Sequence, residues 1–120
     1  MTAVHDQGEI EELALSAHLS LGNFEQAEAH AHRSLVLLRP YMQRDRAIVT
    51  ARLAHAQLGQ GDLELAIATA QSIPVGVFTR HPRVTRLLGD FGIKLHAAAP
   101  SSSFTRTWDQ YTNDFRRSNA

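Results

Sequence analysis

"LGNFEQAEAHAHRSL", residues 21–35, and "LGQGDLELAIATAQ", residues 58–71, carry one pattern: a glycine, then Asn or Asp, an apolar residue, and alanines four apart. A shift of 39 residues lays Gly22 on Gly61, Phe24 on Leu63, Ala27 on Ala66 and Ala31 on Ala70, and upstream Ala17 on Ala56 and Leu19 on Leu58. Small side chains at matched places let two helices approach closely, because anything larger would wedge the backbones apart. The glycine frees the turn, and Asn23 or Asp62 is placed to cap the returning helix. The pair therefore reads as two copies of a helix–turn–helix hairpin.

Working outward, the breaks at Gly22, Pro40, Gly59–Asp62, Ile73–Gly76 with Pro82, and Ala99–Ser103 divide the chain into six helical segments. The first, 8–21, places Ile10, Leu13, Ala14, Ala17 and Leu21 on one side, which predicts its buried stripe. The second has Phe24, Ala27, Ala31, Leu35 and Leu38 and ends at Pro40. The third, 44–59, has Ile48, Ala51, Leu53, Ala54, Ala56 and Leu58, and the fourth, 63–73, has Leu63, Ala66, Ile67, Ala70 and Ile73, closed by Pro74. The fifth, 82–97, starts on Pro82, which suits a first turn, and carries Val84, Leu87, Leu88, Phe91 and Leu95. The sixth, 104–117, carries Phe104, Trp108, Tyr111 and Phe115, with Ser103 as its cap; its aromatics are expected to fold back on the fifth. No alternating strand pattern competes. The expectation is a single all-α domain, a right-handed stack of three antiparallel hairpins: repeat one at 8–40, repeat two at 44–74, and a capping hairpin at 82–117.

Length agrees with one domain, since 120 residues bury about 65% of the surface an unfolded chain exposes. Twelve basic side chains balance twelve acidic ones, so the whole chain lacks the electrostatic footprint of a nucleic-acid binder. The balance is uneven along the sequence: residues 1–79 sum to −4 and residues 80–120 to +4. Without cysteine there is no disulfide, thiolate metal site or cysteine nucleophile. "MTAVHDQGEIEELAL" has no basic-then-apolar leader, and no apolar run approaches the roughly 18 residues of a membrane span. The cytoplasm is the expected location.

The hairpins resemble the tetratricopeptide repeat, a helix–turn–helix unit with Gly-Asp-aromatic, spaced alanine and a later proline. Gly22, Asn23, Phe24, Ala27, Ala31 and Pro40 follow that pattern, as do Gly61, Asp62, Leu63, Ala66, Ala70 and Pro74. The 39-residue period exceeds the family's usual ~34, through the longer link "RPYMQRDR". "RAIVTARLAHAQLGQGDLELA", "HPRVTRLLGDFGIKL" and "WDQYTNDF" further resemble, in order, three parts of the C-terminal repeat region of actinobacterial helix-turn-helix transcriptional regulators. The resemblance implies a partner-binding or effector-sensing module. DNA binding does not carry over, because the first repeat begins within ten residues of Met1.

Catalytic and metal-binding groupings are not legible. His30 and His32 stand about 200° apart around a helix, so they do not form a ligand pair as residues four apart would. His18 and Glu25 straddle a turn, and His55, His81 and His96 stand alone, which argues against a metal site. Ser101–Ser103 has no base oriented by a third group, and the seven glycines never take the spacing of a phosphate-cradling loop. No enzymatic activity and no cofactor are expected.

A binding surface is left. In stacked hairpins the first helix of each repeat lines the concave face. The expected groove residues are Glu9, Glu12, Ser16 and Leu19 from repeat one, Ile48, Arg52, His55 and Leu58 from repeat two, and Arg83, Arg86 and Asp90 from the fifth helix. Their mixed polarity suits a protein or peptide partner. Two other readings stay open. One is self-association, as a homodimer or larger oligomer, through the uncovered first hairpin and the oppositely charged ends. The other is an effector-sensing domain with a small-molecule pocket between helices two, four and five.

Overall fold

The computed structural model describes residues 6–118, and 83% of these residues are helical. Its helices are α1 (Gln7–Leu21), α2 (Phe24–Leu37), α3 (Gln43–Gly59), α4 (Leu63–Gln71), α5 (Val75–Arg80), α6 (Pro82–Ala98) and α7 (Ser103–Ser118). No strand occurs among the described residues.

The repeated glycines do the same thing twice. Gly22 and Gly61 adopt φ of 76° and 84°, a left-handed conformation that a side chain would oppose. Gly22 N–H donates to Leu19 O at 3.2 Å and Asn23 N–H to His18 O at 2.8 Å. Shifted by 39, Gly61 N–H donates to Leu58 O at 2.9 Å and Asp62 N–H to Gln57 O at 3.1 Å. This is the Schellman ending, in which two bonds satisfy carbonyls that the last helical turn leaves free. The return helices start differently. Asp62 Oδ1 accepts from Leu65 N–H at 3.3 Å, whereas Asn23 makes no cap and its amide lies 3.3 Å from His18 Nδ1.

α3 is the central element. Its Val49, Leu53 and Ala56 pack with Leu15, Ala27 and Ala31 of the first hairpin. Its Ile48, Ala51, Ala54 and Leu58 join Ala66, Ile67, Phe78, Leu88, Phe91, Leu95 and Trp108 in a second cluster. Ten of the twelve residues from Ala47 to Leu58 are buried, so α3 is enclosed on most sides even though it carries Arg52, His55 and Gln57. Gly59 is needed for close approach: a Cβ there would stand 2.4 Å from the Phe24 ring, which lies across it from α2. The long link after α2 is held by Arg46, whose Nη1 donates to Leu35 O at 3.0 Å and Leu38 O at 3.1 Å and so satisfies the end of that helix.

Four expectations are corrected among the described residues. Seven helices replace six, because Pro74, which follows the end of α4 as expected, also initiates α5: its φ of −57° leads into a turn secured by burying Val77 and Phe78. The stripe assigned to α1 faces outward, with Ile10 48%, Leu13 63% and Leu21 73% exposed, while Leu15 and Glu11 point into the hairpin. In the last helix Trp108 is buried edge-on against Phe91 at 5.1 Å and next to Tyr111 at 5.6 Å, as expected, but Phe104 is exposed. The side chain of Phe115 lies outside the described residues. The hydroxyl at the start of α7 comes from Ser102, which accepts from Phe104 N–H at 3.1 Å, rather than from Ser103.

Candidate binding face

α3 packs against both α1 and α6, so these three helices lie side by side and share a face. Glu12 on α1, Arg52 on α3 and Arg83 on α6 meet electrostatically across it. Burial pushes the Glu12 carboxyl above its ordinary value, helped by Asp45 and opposed by Arg52 and Arg83. Burial likewise lowers Arg52, and the like charge of Arg83 lowers it further against the pull of Glu12. Arg52 is half-buried, and no described carboxylate pairs with it. Desolvated and cationic, with Glu12 acting on it but no ion pair formed, its guanidinium presents a fork of donors suited to a carboxylate.

Of the other residues expected in the groove, Ser16 and Leu19 are half-buried. Leu19 lies with Phe24, Leu58, Gly59, Lys94 and Ala98 around a hollow of about 360 Å³. Glu9, Arg86 and Asp90 are exposed, and Asp90 acts electrostatically on His55. Ile48, His55 and Leu58 were expected to project toward a partner; all three are largely buried, though His55 and Leu58 still border the hollow. The reason is that α6 lies directly on α3 there. His55 Nε2 donates to the Leu87 carbonyl at 2.9 Å and its ring stands edge-on to Phe91 at 5.8 Å. Burial lowers its pKa, the Leu87 bond opposes that shift, and Lys94 adds to it. His55 is thus a neutral tie between helices that also borders the hollow beside Leu19 and Leu58.

Several polar contacts escape a reading by periodicity. Glu11, only 6% exposed, accepts from His30 Nδ1 at 2.6 Å, Arg33 Nε at 3.0 Å and Gln7 Nε2 at 2.8 Å. The His30 and Arg33 bonds, in that order, hold its carboxyl down to about 2. Glu28 accepts from Gln60 Nε2 at 2.8 Å and Gln57 Nε2 at 3.2 Å, joining α2 to α3, and those donors hold it below its ordinary range. On the far side His96 Nε2 meets Asp109 Oδ1 at 2.8 Å. The only advance sign of the first cluster was the four-residue step from Glu11 to Leu15, which puts both on one side of α1.

No group of three or more His, Cys, Asp or Glu among the described residues is arranged to hold a metal ion. No helix among them is long and apolar enough to cross a membrane. Comparison with family models, curated proteins and solved structures returned no match.

Proposed function

We propose that this chain is a non-catalytic module that captures an acidic segment of another protein on the face formed by α1, α3 and α6. The observation that carries the reading is the pair Arg52 and Arg83, brought together from two helices with Arg52 half-buried and unpaired. Arg86 and Lys94 extend the positive character along α6. The identical Schellman endings at Gly22 and Gly61 support a tetratricopeptide-like, right-handed stack, in which such a face is the concave one. A fluorescein-labelled peptide with a run of Asp and Glu should bind, and Arg52→Glu with Arg83→Glu should weaken it at least tenfold without changing helical circular dichroism. Equal binding by the charge-reversed variant, or none by the parent chain, overturns the proposal. His55 is left intact in this test because its loss would disturb α3 against α6.

A second reading, self-association, is favoured by α1. Ile10, Ala14 and Ala17 correspond at a shift of 39 to Val49, Leu53 and Ala56, the α3 residues on which the first hairpin packs. The α1 residues occupy the equivalent stacking surface, with Leu13 and Leu21 exposed beside them. Two copies meeting there would cover it. Sedimentation velocity should detect dimers that Leu13→Glu abolishes; a monomer at every concentration and salt removes this reading.

A further inference from the structure

We propose that the cleft between α6 and α7, closed at one side by α5, binds a small apolar carboxylate, a site separate from the peptide-binding face. Along α6, Thr85, Gly89, Gly92 and His96 follow at steps of four, three and four, so one strip of the helix carries almost no side chain until His96. Glycine inside a helix is destabilising relative to alanine, and α6 carries two of them three apart. Gly92 has an internal reason: a Cβ there would stand 3.1 Å from Trp108 Nε1. Gly89 has none, since nothing lies within 4 Å of where its Cβ would be. What Gly89 keeps open is the cleft itself, about 690 Å³, within the range of small-molecule pockets.

Its walls and its polar groups together define the ligand. Phe78, Leu88, Ile93 and Trp108 supply apolar surface. Trp108 packs its ring into this wall, and its Nε1 lies at the floor of the cleft beside Gly92. An indole N–H is a donor only, and this one borders the cleft, where the acceptor of a bound ligand can reach it. Trp108, Thr112 and Arg116 succeed one another at four-residue steps on the α7 side of the cleft. Arg116 is exposed and makes no ion pair with a described residue, while the one carboxylate in the lining, Asp109, is already engaged by His96. A donor at the floor, the Arg116 guanidinium and apolar walls select an anion with a hydrocarbon tail over a cation or a sugar.

Trp108 is the only tryptophan in the chain, so its emission reads occupancy directly. Octanoate titrated into the full chain should give a saturable change in that emission, and 1-octanol should bind at least tenfold more weakly. Arg116→Gln, at an exposed position, should bring octanoate to the affinity of the alcohol. Gly89→Leu fills the open strip while improving helix propensity, and should abolish the change with helicity and Tm retained. The Arg52→Glu, Arg83→Glu chain should bind octanoate as the parent does, so failure of the peptide-binding reading leaves this test intact. No saturable signal, equal affinity for acid and alcohol, or parent-like binding by either Gly89→Leu or Arg116→Gln would each overturn the site.

Discussion

The hairpins α1–α2 and α3–α4 are built on one turn, but they live in different surroundings. Ala27 and Ala31 have the same burial as Ala66 and Ala70, and the glycines between their helices make the same pair of bonds. The first helices diverge: Ala17 is exposed where Ala56 is fully buried, and Ile10 is half-exposed where Val49 is sealed. The difference teaches that a hairpin's internal seam is local, whereas the fate of its outer face depends on what is stacked there. α3 has a neighbour on each side, and α1 has one side open.

The largest expected effect comes from two leucines on α1 itself. Leu15→Ala, inside the hairpin, should cost about 2–5 kcal/mol, while Leu13→Ala should change monomer stability by no more than about 0.5 kcal/mol, as read by urea unfolding. A comparable loss at both positions would break the contrast. Next is the matched pair 39 residues apart. Ala56→Leu should destabilise by about 1–3 kcal/mol through overpacking against the first hairpin, and Ala17→Leu by less than about 0.5 kcal/mol.

Acid should separate the two regions in order. His55 has a lowered pKa when folded, so its contribution is complete above its ordinary value of 6.5 and declines as the pH falls through that value and below. Glu11 is held down to about 2, so its contribution is complete above its ordinary 4.5 and is lost as the pH falls toward 2. Unfolding free energies measured from pH 7.5 downward should therefore fall first through the α3–α6 tie and then through the first hairpin. Glu11→Gln should flatten only the lower of the two declines. The smallest effect is at the turn: Asn23→Asp, copying the cap that Asp62 makes, should add about 0.5 kcal/mol, seen as a modest rise in Tm.

Legibility in the sequence followed the range of the forces involved. The hairpin turns, the alanine seams of α2 and α4, the apolar residues of α3 and the stripe of α6 are written in residues close together, and all of them appear in the structure. Arg52 and Arg83 could be named as candidates because each projects from one side of its own helix. That they stand together, and that His55 between α3 and α6 is buried, required knowing that α6 lies on α3. α5 was hidden because a proline ends one helix or begins another according to whether the next turn has somewhere to put its apolar side chains.

By itself the sequence determined an all-helical chain with a duplicated glycine turn, since periodicity, capping and left-handed backbone are properties of a few consecutive residues. Only the tertiary structure decided which side of α1 is inside. Its apolar stripe and its Glu11–Leu15 side were rival surfaces, and α2 chose the second by supplying His30 and Arg33 to satisfy the buried carboxylate. A charge enters a core when its partners come with it, and those partners lie about twenty residues away.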